Sequence, residues 1–313
     1  MTLGVGPRPG PDGLPRIGVL GPGRVGQSVT RALAAAGVDL SGIAGRDPDR
    51  VAAAAARLGI DAITPVELLG RSDLVLVTVP DQQIAAVAHR LADLLPTARR
   101  RANLAIVHCS GATDLSSLAA MGAAGVPVGS WHPLLAIPRP DTELRYGATW
   151  AITTDDDGLR TVLAMLSRAV GGVPRLLPED AKGRYHAAAV LGSNSVVGLL
   201  GQAAELLTGC GLAPQEALQA LVPLARSAID ALEDSGLPEG LTGPLVRGDV
   251  GTIRAHLAAL STDPETMAVY QVLGRATLRL VARQLAPARH DEMLELLGGS
   301  TDGSPRDVTY QDR

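Results

Sequence analysis

One segment of this chain, residues 16–37, restricts the possible fold more than any other: RIGVLGPGRVGQSVTRALAAAG. It opens with a short apolar run at 17–20, which is typical of a buried parallel strand. Three glycines follow in a G-x-G-x-x-G arrangement, and apolar residues then recur at helical spacing. The segment therefore predicts a strand, a tight turn and a helix, the βα unit that binds dinucleotides.

Each of the three positions in this turn requires glycine for a separate physical reason. Gly21 permits the tight turn, Gly23 lets a pyrophosphate approach the backbone, and Gly26 lets the helix pack close to the strand. Free N–H groups and the helix dipole favour an anion at this helix N-terminus. The alternative is a Rossmann fold that has lost its cofactor. The residues predicted to contact the cofactor here are Gly21, Pro22, Gly23, Arg24, Val25 and Gly26.

The end of the second predicted strand indicates which dinucleotide binds. An acidic residue about 20 positions after the glycine turn would bond the ribose 2′-hydroxyl of NAD. This chain has Gly45 and Arg46 there, and an arginine can hold a 2′-phosphate. Asp47, one position later, is interpreted as a helix cap. We therefore predict NADP as the cofactor; the alternative is that Arg46 is merely exposed.

The order of elements predicts an α/β protein with a doubly wound, mostly parallel Rossmann sheet, followed by an all-α domain. The predicted strands are residues 17–20, 38–44, 61–63, 73–79, 104–107, 126–130, 149–153 and 174–177, with helices at 49–58, 83–95, 114–121 and 157–170. After residue 178 only helices are predicted, at 179–208, 214–233, 250–260, 265–285 and 290–297. The predicted organisation is a flexible leader (1–15), a Rossmann domain (16–178), a helical substrate and dimerisation domain (179–297) and a flexible tail (298–313).

Composition restricts the class of protein. The chain has 313 residues, enough for two domains, and a formal net charge of −4 with no basic cluster beyond the arginines at 99–101, so nucleic acid binding has little support. Two distant cysteines fit a reducing cytoplasm, and we expect no apolar run to be long enough to span a membrane. Cys109 has no metal-spaced neighbour except His108, so no metal is predicted.

Short polar motifs follow three of the predicted strands. Ligands of open parallel sheets bind at the carboxyl ends of strands, so these motifs predict a nicotinamide and substrate site. The predicted cofactor contacts are Val79, Pro80, Ser110 and Gly111, and the predicted substrate contacts are His108 and His132. The alternatives are a helix cap for Asp81, a turn at Ser110 and structural roles for both histidines.

Two residues of the first helix after residue 178 are predicted to carry the chemistry. Lys182 and His186 are spaced i and i+4 and so share a helix face. A lysine ammonium can polarise a carbonyl oxygen or protonate the alkoxide formed by hydride transfer. His186 would orient substrate or share the proton, with Ser193 near the same face. Asn194 lies about 120° away and joins the catalytic group only if the helix bends near Gly192.

A loop at 241–249, LTGPLVRGD, interrupts the helical domain. Such a loop can fold over the cleft of its own subunit or of a partner. Thr242 and Arg247 are the predicted substrate contacts, since an arginine binds a carboxylate through two parallel hydrogen bonds. The alternative is a structural pair of Arg247 with Asp249.

The motifs GPGRVG, VTVPD, HCSGA, WHPL, KGRYHAAAVLGSN and LTGPLVRGD together resemble a bacterial Rossmann-like family whose C-terminal helical domain has no known function. The resemblance covers roughly residues 15–297. That family is grouped with NADP-dependent pyrroline-5-carboxylate reductases, ketopantoate reductases and 3-hydroxyacid dehydrogenases. In the last two a lysine is followed four residues later by an asparagine; here Lys182 is present and His186 stands in the asparagine place.

The resemblance implies an NADP-dependent oxidoreductase with a C-terminal domain like that of 6-phosphogluconate dehydrogenase. The expected substrate is a small 2-oxo acid or related carbonyl, with ketopantoate as the leading candidate. The alternatives are a cyclic imine reductase of the pyrroline-5-carboxylate type and an NADP-binding sensor or scaffold without turnover. Long apolar helices after residue 213 predict a homodimer.

Overall fold

The computed structural model describes residues 13–98 and 102–300. Most of the predicted leader, the arginines at 99–101 and most of the predicted tail therefore lie outside the described residues. The chain divides into two compact units, the first ending at Ser193 and the second beginning at Asn194.

The first unit contains a seven-stranded sheet with strand order β2-β1-β3-β4-β5-β6-β7. The pairs formed by β1 to β5 are parallel, β6 is antiparallel to β5, and β7 is parallel to β6. The strands are Ile17–Leu20 (β1), Leu40–Ala44 (β2), Leu74–Val77 (β3), Ala105–His108 (β4), Val128–Pro133 (β5), Thr149–Thr153 (β6) and Val173–Leu176 (β7). The predicted mostly parallel, doubly wound sheet is confirmed.

Helices cover both faces of this sheet. They are Arg24–Ala35 (α1), Pro48–Leu58 (α2), Pro65–Arg71 (α3), Ile84–Leu94 (α4), Ala119–Ala123 (α5) and Asp157–Ala169 (α6); Lys182–Gly192 (α7) follows β7 in the chain. Successive residues of a strand point to opposite faces, so Leu74 and Leu76 join a core with α1, α2 and α6. Val75 and Val77 join a second core with α3, α4 and α5. Burial on both faces explains why the sequence of β3 is continuously apolar.

Local capping fixes where two of these helices begin. The Asp47 side chain accepts hydrogen bonds from the amides of Asp49 and Arg50, each at 3.1 Å, which confirms its predicted cap of α2. Thr64 and Glu67 form a reciprocal capping box that starts α3, a helix that the sequence reading missed. The strand predicted at 61–63 is reduced to one isolated bridge, between Ile43 and Ala62.

Strand β5 extends farther than predicted, and the motif at 132–133 lies inside it rather than after it. The last pair between β4 and β5 is His108 with Ser130. Beyond it β5 continues because it pairs with β6, through His132 opposite Ala151. His132 therefore projects past the end of β4, toward the turn that follows β4.

The second unit is helical in its described part, as predicted. Its helices are Asn194–Gly209 (α8), Pro214–Ser235 (α9), Pro244–Arg247 (α10), Val250–Ala259 (α11), Pro264–Leu280 (α12) and Pro287–Leu296 (α13). A small core around Ile253, Leu278 and Met293 holds α11, α12 and α13 together. The long helix predicted from residue 179 is broken at Ser193, close to the predicted position at Gly192. The units divide after Ser193 instead of near 178, and the side chains of Lys182 and Tyr185 join α7 to β5 of the first unit.

One helical stretch in the described residues, 179–209, is long and apolar enough to cross a membrane by length and composition alone. The sequence-based expectation that no apolar run is long enough to span a membrane is therefore wrong for this stretch. The stretch includes the break at Ser193, and little of its most apolar window is buried. An exposed apolar helix of this kind also occurs where a soluble protein packs on a partner.

Candidate functional site

The glycine turn between β1 and α1 has the packing that the sequence predicts. Gly21 has a φ of +123°, and a Cβ there would lie 2.8 Å from the backbone carbon and oxygen of Thr78. A Cβ on Gly26 would overlap the carbonyl oxygen of Gly21. Both positions therefore exclude every side chain, which keeps α1 close to the end of β1.

Gly23 differs, because the space beside it is open. A Cβ at Gly23 would meet only the carbonyl oxygen of Thr78, at 3.8 Å. Gly23 is the N-cap of α1, and no side chain caps this helix end. The amides of the first turn therefore have no partner within the helix. Open space over free N–H groups fits a pyrophosphate, with Pro22, Arg24 and Val25 in the same turn.

The end of β2 lies against this turn, since the amide of Gly21 donates to the carbonyl of Ala44 at 2.9 Å. Arg46, two residues farther on, is exposed. The Asp47 carboxylate caps α2. The charge presented beside the glycine turn is therefore that of a guanidinium, which fits a 2′-phosphate.

Lys182 lies at the carboxyl edge of the sheet and is buried, with 2% of its surface exposed. Its Nζ donates to Ser130 Oγ at 2.7 Å and to the Ser110 carbonyl at 3.3 Å. Burial lowers the pKa of Lys182 to about 8, against the opposing carboxylates, first that of Glu179. A lysine with this pKa remains mostly protonated at pH 7 and can still release its proton near neutrality.

Ser110 organises the turn after β4. Its hydroxyl donates to Asp81 Oδ2 at 2.8 Å and accepts from the amides of Ala112 and Thr113. Asp81 thus holds Ser110 and does not cap the short helix that it begins.

On the same edge, Thr78 Oγ1 donates to the Gly21 carbonyl at 2.8 Å. This bond connects the segment that contains Val79 and Pro80 to the glycine turn. The bond to Asp81, which follows Pro80, connects the turn at Ser110 and Gly111 to the same segment.

His108 is fully buried, and its Nδ1 accepts from the Ser110 amide at 3.1 Å. Burial, with the charge of Lys182, lowers the pKa of His108 to about 3, so the ring is neutral and carries its proton on Nε2. This Nε2 has no hydrogen-bond partner among the described residues. The structure thus shows His108 holding the Ser110 turn, while its predicted contact with substrate stays a prediction.

His132 makes a contact that the sequence reading missed. Its Nδ1 lies 2.8 Å from the hydroxyl of Tyr185, and the two rings meet edge to face. A Cβ at Gly111 would lie 2.9 Å from His132 Cε1, so the ring packs directly on the backbone of that turn. Burial lowers the pKa of His132 to about 4 and raises that of Tyr185 to about 12.

His186 joins the same group from the next position of α7. Its ring centre lies 6.4 Å from that of His132, and its Nδ1 is buried with no hydrogen-bond partner in the described ranges. Lys182, Tyr185 and His186 follow the i, i+3, i+4 spacing of one helix face. That spacing in KGRYH is the signal that would have identified Tyr185.

Four further predicted residues belong to the end of α7 and to the second unit. Ser193 Oγ donates to the Ala189 carbonyl at 2.6 Å, at the end of α7. Asn194 begins α8 in the second unit. Thr242 and Arg247 are exposed in that unit, where Asp249 caps α11 by accepting from Thr252. The roles of these four residues in catalysis and substrate binding stay predictions.

Within 13–98 and 102–300, no group of three or more His, Cys, Asp or Glu side chains is arranged to hold a metal ion.

Two family models match separate parts of the chain. Residues 16–98 match the family described as NADP oxidoreductase, coenzyme F420-dependent. Residues 148–277 match a domain of unknown function, DUF2520. No curated protein matches the chain.

Three solved structures illustrate the similarity of fold. Protein TM1727 from Thermotoga maritima is 21% identical, with a TM-score of 0.67 over 86% of this chain and 99% of its own. BF3122 from Bacteroides fragilis, a candidate NADP oxidoreductase, is 19% identical, with a TM-score of 0.66 over 84% and 98%. Plasmodium falciparum pyrroline carboxylate reductase with NADP bound is 12% identical, with a TM-score of 0.59 over 87% and 98%. Likeness at these identities establishes the fold, and function has to be argued from the site.

Proposed function

We propose that this chain, in which an NADP-binding Rossmann domain of the NADP oxidoreductase type precedes a DUF2520 domain, is an NADPH-dependent reductase of a small carbonyl compound. The observation that carries the proposal is the buried Lys182, anchored to Ser110 and Ser130 at the carboxyl edge of the sheet. That edge also holds the glycine turn, and it is where ligands of such sheets bind.

The glycine turn supports the cofactor part of the proposal. The open space at Gly23 and the uncapped amides of α1 would hold the pyrophosphate, and Arg46 would hold the 2′-phosphate. Ser110 and Gly111, with Val79 and Pro80, would line the nicotinamide side. NADPH supplies a hydride when it is bound.

Lys182 would stabilise the negative charge that develops on the substrate oxygen. A cation that is already positioned in a poorly solvated site needs little reorganisation during the reaction, and this is why such groups contribute strongly to catalysis. The bonds to Ser110 and Ser130 hold the ammonium in place. His132, which is neutral beside this ammonium, and His186 would contact the rest of the substrate.

The substrate class follows from this charge. An ammonium favours a carbonyl oxygen that becomes negative over an iminium that is already positive. A small 2-oxo acid is therefore the first substrate class, with ketopantoate as its leading member. A cyclic imine is the alternative, and the similarity in fold to a pyrroline carboxylate reductase favours including it in tests.

We also propose a cytoplasmic homodimer. Large apolar side chains are exposed along α8 and α9 of the second unit, and a second copy would cover them. The members of this set are Val197, Leu199, Leu206, Leu218, Val222, Leu224, Ile229 and Leu232. Cys109 and Cys210 are both free thiols, as in proteins of a reducing compartment.

A substrate panel tests the proposal. The protein is mixed with NADPH and a set of 2-oxo acids and cyclic imines, and the loss of NADPH absorbance is followed, with Lys182→Ala as the control. Oxidation of NADPH with a 2-oxo acid, greatly reduced in the control, is the expected result. Tight NADPH binding without turnover on the whole panel would contradict a reductase and favour a sensor or scaffold.

A further inference from the structure

We propose that the hydroxyl of Tyr185 donates the proton that completes the reduction, and that His132 holds this hydroxyl in position. The inference rests on the proposed function and adds a catalytic residue to it. It begins from the way in which α7 is joined to β5.

Two side-chain contacts connect α7 with β5. Lys182 Nζ bonds Ser130 Oγ at 2.7 Å, and one turn later Tyr185 OH bonds His132 Nδ1 at 2.8 Å. Ser130 and His132 are two apart on the strand and so point to the same side. The intervening Trp131 points to the other side, where it stacks on Trp150. Four polar groups therefore line one surface between the helix and the strand.

The two contacts differ in exposure. Lys182 is 2% exposed and its ammonium bonds two protein oxygens, whereas Tyr185 and His132 are only partly buried. His132 lies beyond the last pair of β4 with β5, and its ring packs on Gly111 of the turn after β4. The proton that a substrate can reach at this edge is therefore that of the tyrosine, while Lys182 acts through its charge.

The protonation states of Tyr185 and His132 agree with a tyrosine that donates the proton and a lysine that acts through its charge. Burial raises the pKa of Tyr185 to about 12, so the hydroxyl keeps its proton at neutral pH. Burial lowers the pKa of His132 to about 4, so its ring is neutral. In the tautomer with the proton on Nδ1, the ring donates to the phenol oxygen and leaves the phenol proton free for the substrate. An alkoxide is a stronger base than a phenolate, which makes proton transfer from the tyrosine to the reduced substrate favourable.

The two atoms of the carbonyl group receive the hydride and the proton from different donors. The carbonyl carbon gains the hydride as the C=O π bond breaks, and the oxygen takes the proton from the Tyr185 O–H bond. NADPH is oxidised, the carbonyl is reduced to an alcohol, and the Tyr185 phenolate recovers a proton from water. A structural role, in which the Tyr185–His132 contact only fastens α7 to the sheet, is the alternative.

The chain itself supplies a matched control. In the second unit, His256 Nδ1 and Tyr270 OH also lie 2.8 Å apart, and their rings meet at 87°, the same angle as for His132 and Tyr185. Tyr270→Phe removes the same kind of hydrogen bond from α12. Tyr185→Phe and Tyr270→Phe therefore differ in whether the lost hydroxyl belongs to the candidate site.

The experiment measures kcat, KM, NADPH affinity and thermal stability for both variants with a substrate from the panel. Tyr185→Phe is expected to lower kcat about 100-fold, the size of a general-acid contribution, with NADPH affinity unchanged. The isotope effect from NADPH deuterated at C4 should rise, because the chemical step becomes slower. Tyr270→Phe should keep the original kcat. His132→Ala should lose activity that added imidazole restores in part.

Two results would overturn the assignment. If Tyr185→Phe has the same kcat as Tyr270→Phe, another group donates the proton. A loss of kcat matched by equal losses of stability and NADPH affinity would show a structural role. Turnover that persists in Tyr185→Phe leaves the proposed function intact, whereas no turnover on the panel overturns the proposed function together with this assignment.

Discussion

Arg46 is the residue on which the choice of cofactor depends. Its guanidinium is exposed beside the glycine turn, and the neighbouring carboxylate of Asp47 is occupied as a helix cap. NADPH should therefore bind at least about tenfold more tightly than NADH, a difference of about 1.4 kcal/mol. Arg46→Ala should remove most of this difference in titration calorimetry. Arg50→Ala, which changes a nearby exposed arginine in α2, should retain it; equal affinities in the parent protein would contradict the prediction.

Lys182 predicts a pH dependence of turnover. Burial lowers its pKa to about 8, while the carboxylates of Glu179, Asp114 and Asp81 act in the opposite direction. Because the charged form is the active one, kcat should fall as pH rises through about 8. Lys182→Ala should lower kcat about 100-fold and abolish this fall, with NADPH affinity unchanged. A pH profile of the variant that still falls at the same pH would assign the titration to another group.

Short-range rules predicted individual residues where the relevant neighbour is close in sequence. A Cβ on Gly26 would meet the carbonyl oxygen of Gly21 in the same turn, and the Asp47 carboxylate caps the nearby amides of Asp49 and Arg50. Ser130 and Tyr185 were missed because their partners are separated by about fifty residues in sequence. Only the packing of α7 against β5 brings those groups together.

Among the secondary-structure elements, α7 is the one that the sequence assigned to a different part of the chain from the one in which the structure has it. It was predicted to begin the helical domain, yet it belongs to the first unit, where Lys182 and Tyr185 bond β5. A helical pattern shows which residues share a face but not which sheet that face will pack on. The same limit explains the length of β5, since its last residues are held by antiparallel pairing with β6, which periodicity does not reveal.

The contact between α7 and β5 gives a prediction at this scale. The Ser130 hydroxyl accepts from the Lys182 ammonium, so it stabilises the charged form. Ser130→Ala should therefore lower the pKa of Lys182 further and move the fall in kcat to lower pH. Ser167→Ala is the matched control, because Ser167 is also buried and bonds the neighbouring Trp131 of β5. It should reduce thermal stability without moving the pH profile; identical profiles for Ser130→Ala and the parent would contradict the prediction.

At the scale of the whole molecule, each unit has its own core, and the sequence predicted both classes of structure. The α/β pattern and the all-helical pattern differ in period, so composition and periodicity separate them well. Periodicity does not identify the partner that covers an apolar helix face when the helix's own unit leaves that face exposed. Helices α8 and α9 pack on each other and still expose large apolar side chains, including Val197 at 71% and Leu224 at 64%.

This exposed surface predicts a homodimer. Contiguous apolar area on a protein is generally covered by a partner, and a closed two-fold dimer is the commonest arrangement. Light scattering at micromolar concentration should therefore give the mass of two chains. Val197→Glu should shift the mass toward one chain, since a carboxylate would be buried unpaired in the interface. Tyr146→Glu is the control, because Tyr146 is 93% exposed in the first unit, and this variant should remain a dimer. A parent protein with the mass of a single chain would refute the dimer and leave the apolar surface of α8 and α9 to a different partner.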